Sequence, residues 1–195
     1  MSRQNNELVL ERYEKAEFGF WLYLMTDIIL FASLFATYMV LRNNTAGGAT
    51  SAELLDPKYA LVETVILLTS SFACGVAALA LRFKKIRLSL WSLAFALLLG
   101  LAFLSLEISE FTQLVREGNS WQASAFLSGF FTLVATHGLH ITIGLIWGVA
   151  MAYYIFKHGR TANSVRKFTL FSLFWHFLDL VWIFIFTIVY LGAAL

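Results

Sequence analysis

Five long apolar runs alternate with short polar segments along this chain. They cover about residues 18–41, 59–81, 88–114, 125–156 and 168–191. A helix needs about 20 apolar residues to cross a bilayer, so each run predicts one membrane span. The longest connection, 42–58, ends at Asp56-Pro57, a pair that favours the start of a helix. The pattern predicts an all-α membrane protein: a five-helix transmembrane domain over 18–195, preceded by a short segment, 1–17.

Composition supports this fold class. The chain has 195 residues, of which 59% are hydrophobic and 13% charged, whereas soluble domains are about 25% charged. The net charge of +2 gives no basis for nucleic-acid binding. The single cysteine, Cys74, excludes a disulfide framework and a cysteine metal cluster, and we interpret it as a small buried residue.

Lys and Arg are concentrated on one side of the predicted topology. Eleven of the 14 fall in segments 1–17, 82–87 and 157–167, and the other three are Arg42, Lys58 and Arg116. Basic residues accumulate in cytoplasmic segments. We therefore predict that 1–17 and the N-terminus are cytoplasmic and that the C-terminus is periplasmic.

Two further patterns concern helix ends and helix packing. Tyr38, Tyr59 and Tyr190 fall near predicted helix ends, which is typical of an aromatic belt at the membrane surface. Gly144 and Gly148 lie four residues apart on one predicted helix. Such pairs of small residues let helix backbones approach closely, and we interpret this one as packing within the bundle.

Ionisable side chains interrupt the apolar runs. A charge at the bilayer centre costs about 2.5–3.5 kcal/mol, so these groups must face protein, water or each other. Three helices carry a pair at i, i+3, which shares one helix face. Counting the helical rise places seven of the eight groups near mid-membrane or in the outer half, and we expect one inward-facing band. Its members are Asp27, Glu63, Glu107, Glu110, His137, His140, His176 and Asp179.

Such a band has four conceivable uses. Di-iron bundles take a Glu-x-x-His pair from each of two helices, and no pair here has that form. Two axial ligands for haem, such as His140 and His176, would leave too few histidines for a copper site. A proton path and a hydrogen-bonded framework fit better. The framework is favoured for the three pairs, whereas both uses stay open for Asp27, which is alone on its helix. We predict no catalytic and no metal-binding residue.

Three strings in a fixed order resemble a known family. They are Glu107-x-x-Glu110, Thr136-His137-Gly138-Leu139-His140 and Phe174-Trp175-His176-Phe177-Leu178-Asp179-Leu180-Val181-Trp182. Together with Leu61-Val62-Glu63-Thr64 and with Asp27 and the four residues after it, they resemble subunit III of the haem–copper oxidases. The resemblance covers about residues 18–192. The His-Gly-Leu-His string alone would be weak, but the ordered set is specific.

The chain departs from the longer members of that family in two ways. Those members often have seven helices, whereas this chain has room for five, and their reactive membrane carboxylate is usually Glu, where Asp27 stands here. The short form and its Asn-Asn-Thr-Ala-Gly-Gly loop resemble the cytochrome o-type, ubiquinol-oxidising branch. In that branch an extension of subunit I is thought to supply the two other helices.

The resemblance implies a function. The complex of that branch lies in the bacterial inner membrane, oxidises ubiquinol, reduces oxygen to water and pumps protons. Its haems and copper belong to subunit I, the main expected partner. Subunit III carries no cofactor of its own, and it supports assembly, binding of phospholipid or quinone, and proton supply. By the resemblance Asp27 handles protons. The polar framework comprises Glu63, Glu107, Glu110, His137, His140, His176 and Asp179.

Three other kinds of function are alternatives to a ubiquinol oxidase subunit. The same subunit occurs in cytochrome c oxidases, and a homologue is associated with nitric oxide reductase. A stand-alone proton-coupled transporter is a different class, and such transporters often use broken helices, whereas the only proline, Pro57, lies in a loop. A metal oxidoreductase that uses the acidic and histidine side chains is a third class.

Overall fold

The computed structural model describes the backbone of residues 2–193 and the side chains of residues 13–193. Within that range the chain is helical and has no strands. Its helices are α1 (Ser2–Leu41), α2 (Ser51–Leu54), α3 (Pro57–Arg82), α4 (Ile86–Arg116), α5 (Ala125–His158) and α6 (Ala162–Ile185), and a π-helical turn (Phe186–Leu191) continues α6. Five of the described helices are long and apolar enough to span a membrane, which confirms the predicted five-helix fold.

Local capping explains where the helices begin. Helix α3 starts at Pro57, as predicted, and the Asp56 carboxylate accepts a hydrogen bond from the α3 backbone at 2.9 Å. Helix α6 starts before the apolar run predicted from 168, because the Thr161 hydroxyl caps it by accepting from the Ser164 N–H at 3.0 Å. Hydropathy does not detect this first turn because its residues are polar.

Two segments that the sequence left without helix are helical in part. Helix α1 begins at Ser2 and continues through the predicted cytoplasmic segment into the first span. The 42–58 connection contains the one-turn helix α2, where the Glu53 carboxylate accepts a hydrogen bond from the Thr50 N–H at 2.9 Å. This bond from the residue before the helix to a glutamate three positions later is one half of a capping box.

The four helices α3, α4, α5 and α6 form a closed ring, and α1 packs mainly against α5. Trp175 of α6 connects to the other three helices of this ring. Its indole N–H donates to the Ser70 hydroxyl at 3.2 Å, and Ser70 donates to the Ala96 carbonyl of α4 at 2.7 Å. On α5, a Cβ added to Gly144 would lie 2.9 Å from the Trp175 ring. The small residue of α5 therefore makes room for a side chain of α6.

The aromatic-belt interpretation is wrong for two of the three tyrosines. Tyr38 and Tyr190 are only 2% and 0% exposed, so both lie inside the bundle rather than at its surface. Tyr59 is half-buried, and its hydroxyl donates to the Leu106 carbonyl of α4 at 3.1 Å. These positions near helix ends therefore contribute to packing between helices.

Candidate functional site

The structure divides the expected band of ionisable residues into separate groups. Residues three apart on a helix differ in direction by about 60°, which is enough to face different neighbours. Asp27 faces His140, whereas His137 lies in an aromatic box. Glu63, Glu107 and Glu110 form a carboxyl cluster. His176 and Asp179 contact Ser71 beside a groove on the bundle surface, where Asp179 is buried and His176 is half-buried.

Asp27 and His140 join α1 to α5. The Asp27 Oδ1 atom lies 3.6 Å from the His140 Nε2 atom, and both side chains are buried. The His140 Nδ1 atom lies 2.7 Å from the Thr136 carbonyl oxygen, one turn earlier on α5. The acid that appears alone in the sequence of its helix therefore has a titratable neighbour on another helix.

The contact with Thr136 restricts where the proton of this pair can reside. A carbonyl oxygen only accepts, so the His140 Nδ1 atom carries a hydrogen. The Nε2 atom then bears a proton only in the charged imidazolium form. One proton can thus lie either on the Asp27 carboxyl group or on His140 Nε2, as a carboxylic acid beside a neutral ring or as an ion pair.

His137 lies inside the bundle, one turn before His140 on α5. Its ring stacks on that of Trp182 with centroids 5.4 Å apart, and Phe103 approaches edge-on at 5.9 Å. The side chain is fully buried, and neither ring nitrogen has a hydrogen-bond partner among the described residues. Packing with aromatic rings, rather than pairing with an acid, holds this histidine in place.

The carboxyl cluster lies at the end of the bundle that carries the 42–58 connection. Glu63 and Glu107 are buried, and their carboxyl oxygens have no hydrogen-bond partner among the described residues. Glu107 is close enough to both Glu63 and Glu110 for their charges to interact. The protonation states of the three groups are therefore coupled.

Tyr190 completes this cluster, and sequence reasoning missed it. Its hydroxyl donates to the Glu110 Oε2 atom at 2.8 Å, which links the end of the chain to α4. A second unpredicted contact lies deeper: the Trp182 indole N–H donates to the Thr64 hydroxyl at 3.0 Å. No spacing signal identified either contact, because both depend on how the α6 segment packs.

His176 and Asp179 meet Ser71 of α3. The Ser71 hydroxyl lies 2.6 Å from the His176 Nδ1 atom, and the Asp179 carboxyl group interacts with both of these side chains. In a hydrolytic triad the serine and the acid bond to opposite ring nitrogens. Here Ser71 lies between the other two residues, so the connectivity is not that of an activated nucleophile.

No group of three or more His, Cys, Asp or Glu side chains within 13–193 is arranged to hold a metal ion. Cys74 is buried and free, with its sulfur 3.9 Å from the Ser172 hydroxyl, in agreement with its interpretation as a packing residue. The described geometry thus offers a buried Asp–His pair, a carboxyl cluster and a polar groove.

The fold and these groups define a class: a multi-pass helical membrane protein with ionisable side chains placed between its helices. The family model described as cytochrome c oxidase subunit III matches residues 9–194. The chain therefore belongs to the cytochrome c oxidase subunit III family. The predicted function as subunit III of a haem–copper oxidase is confirmed.

Curated relatives agree with this assignment. The cytochrome bo(3) ubiquinol oxidase subunit 3 of Pseudomonas aeruginosa is 51% identical over 179 residues, which cover 91% of this chain and 85% of the relative. The quinol oxidase subunit 3 of Bacillus subtilis is 46% identical, with 89% and 85% covered. The cytochrome c oxidase subunit 3 of Bacillus sp. PS3 is 45% identical, with 89% and 84% covered.

Proposed function

We propose that this chain is the non-catalytic third subunit of a proton-pumping terminal oxidase that takes electrons from ubiquinol. The observation that carries the choice of donor is identity: relatives named as ubiquinol oxidase subunits reach 51% and 53%. The haems and copper belong to a partner, subunit I, which is the main contact of this chain. This chain binds no redox centre and stabilises the assembled complex.

Cytochrome c is the second candidate donor. The relative from Bacillus sp. PS3 is named as a cytochrome c oxidase subunit and is still 45% identical to this chain. The donor binds to other subunits, so residues of this chain do not discriminate between the two complexes. Only the assembled oxidase can distinguish them.

The contribution of this chain to proton movement rests on Asp27 and His140. The Oδ1–Nε2 separation of 3.6 Å and the fixed hydrogen on Nδ1 give one proton two positions in a buried site. We assign to this pair a role in maintaining proton supply during turnover. His140 also belongs to the polar framework of the bundle. The other members of that framework are Glu63, Glu107, Glu110, His137, His176 and Asp179.

The proposed location is the bacterial inner membrane, with the N-terminus in the cytoplasm. The charge asymmetry supports this orientation. Eleven of the 14 Lys and Arg residues fall in segments on the same side of the membrane as the N-terminus, and basic residues accumulate on the cytoplasmic side. A C-terminal fusion to alkaline phosphatase should be active and a C-terminal fluorescent protein dark. The reverse pattern would reject the orientation and leave the rest of the proposal standing.

The test of the function is purification of the native complex through a tag on this chain in mild detergent. The proposal expects a haem spectrum, a co-purifying subunit I, and oxygen consumption with a short-chain ubiquinol but not with reduced cytochrome c. Activity with cytochrome c alone would favour the second candidate. A chain that purifies alone, without haem, would reject the oxidase and favour a stand-alone transporter.

A further inference from the structure

A groove between α3 and α6 brings three polar side chains to the lateral surface of the helix bundle. One wall is an apolar stripe of α3 at helical spacing, formed by Leu68, Phe72, Val76 and Leu79, and the groove measures about 410 Å³. Phe72 is 75% exposed, the highest value in the stripe. A large aromatic side chain is thus turned outward beside a polar site.

The polar site is formed by Ser71, His176 and Asp179, which also line the groove. The Ser71 hydroxyl forms a hydrogen bond with the Nδ1 atom of His176 at 2.6 Å. The Nε2 atom of His176 lies near Gly75, 4.0 Å from the position that a Cβ atom would take there. This nitrogen has no hydrogen-bond partner among the described residues. Asp179 is 8% exposed, and its buried Oδ1 atom also lacks a partner there.

The depth of this site determines what can cover it. His176 lies at the middle of the membrane-length segment Ala162–Leu191, and Ser71 lies near the middle of Pro57–Arg82. Lipid headgroups begin about 15 Å from the bilayer centre, half the thickness of the hydrocarbon core. Acyl chains at mid-membrane offer no hydrogen bond, and a polar group left against them is costly.

We propose that this groove is the docking surface for a transmembrane helix of a partner subunit of the oxidase, and that this helix places a polar side chain on the Nε2 atom of His176. The inference rests on the proposed function, because it requires an oxidase partner in the membrane. The partner residue is of the hydroxyl or amide class, which can donate to or accept from an imidazole nitrogen.

The shape of the groove favours a helix over a small molecule. The stripe from Leu68 to Leu79 extends about 16 Å along α3 at 1.5 Å per residue, a length suited to helix packing. The groove is open along its side, whereas small-molecule sites enclose most of their ligand. Gly75 lies beside His176 and lets a second backbone approach closely, as small residues do between membrane helices.

The first experiment places a photo-crosslinking benzoylphenylalanine at position 72 of this chain in the whole oxidase, in native membranes. Ile146, which is 67% exposed on α5 and lies away from the groove, is the matched control position. Irradiation should join this chain to another oxidase subunit from position 72, with at least fivefold less of that product from position 146.

A second experiment compares His176→Phe with His176→Gln in the same complex. The Phe variant removes the hydrogen-bonding group and the Gln variant keeps one. Hydrogen bonds between membrane helices contribute about 0.6–1.7 kcal/mol, so the Phe variant should lose subunit contact in detergent about threefold to eighteenfold more readily. The membrane level of the chain shows whether the Phe variant folds.

The outcomes separate this inference from the proposed function. Adducts with lipid or quinone only, or equal subunit crosslinking from both positions, would overturn the docking surface while a normal haem spectrum keeps the oxidase assignment. Equal subunit retention in the wild type and both His176 variants would overturn the hydrogen bond to Nε2. A chain that purifies without any haem-containing partner would remove both proposals together.

Discussion

The carboxyl group of Glu107 lies against the backbone of Gly138. A Cβ added at position 138 would come within 2.8 Å of Oε1, a distance that real Cβ contacts essentially never show, and 3.0 Å from Oε2. Glu107 is 2% exposed, so any shift of its carboxyl group has to take place inside the packed bundle. The glycine of the His-Gly-Leu-His string thus makes room for a buried acid of the facing helix.

Gly138→Ala should therefore destabilise the protein. Overpacking of a buried contact costs about 1–3 kcal/mol, which outweighs the usual gain from replacing glycine in a helix. Gly19→Ala is the matched control, because nothing lies within 4 Å of the added Cβ. Thermal unfolding of the purified complex should show a lower transition temperature for the first variant only, and equal values would contradict the contact.

Thr64→Val should weaken the bundle through Trp182. The substitution keeps the side-chain shape but removes the hydroxyl that accepts from the indole N–H at 3.0 Å. A buried donor left without a partner costs about 1–3 kcal/mol. Thr69→Val is the control, because the Thr69 hydroxyl is exposed and donates only to the Val65 carbonyl of its own helix. Indistinguishable thermal stability of the two variants would reject the role of this bond.

Glu110→Leu should destabilise the end of the bundle, whereas Glu110→Gln should be milder. Leucine leaves the fully buried Tyr190 hydroxyl without its acceptor, and glutamine retains an acceptor oxygen. We expect a loss of about 1–3 kcal/mol for leucine.

His140→Leu should destabilise similarly by removing the partner of Asp27. Normal assembly and thermal stability in both leucine variants would reject the framework role.

Asp27→Asn should leave the oxidase assembled but make it inactivate sooner during turnover. The carboxamide is nearly isosteric but removes the acid that can share a proton with His140. Initial oxygen consumption should stay near that of the wild type, while proton uptake or the number of turnovers before inactivation falls. Asp56→Asn, at the exposed start of α3, is the control. Immediate and complete loss of oxygen reduction in an assembled Asp27→Asn complex would contradict the assignment.

The sequence predicted the fold because membrane spans obey a length and hydropathy rule that each helix satisfies alone. It also singled out Asp27 from its isolation on one helix. It did not predict His140 as the partner, because side chains three apart on α5 diverge toward different helices. The single band therefore became separate groups, and His137 is surrounded by aromatic rings instead of acids.

Serine, threonine and tyrosine were the main omissions. Hydroxyls in membrane helices usually bond to their own backbone, as Thr69 does, so a contact such as Ser71 to His176 has no sequence signal. The Gly144 pattern predicted close approach, but not that an indole ring of α6 would fill the space. Such pairings arise from tertiary packing, which sequence spacing does not encode.

The wide turn over Phe186–Leu191 has a consequence for the register of the final helix. A π-helical turn accommodates one more residue than an α-helical turn. Removing a single residue within it would rotate everything beyond by about 100°, the angular step of an α-helix. If the removed residue precedes Tyr190, the Tyr190 hydroxyl would turn away from Glu110 and lose its hydrogen bond. One amino acid of chain length thus sets whether the carboxyl cluster is closed by its own terminal segment.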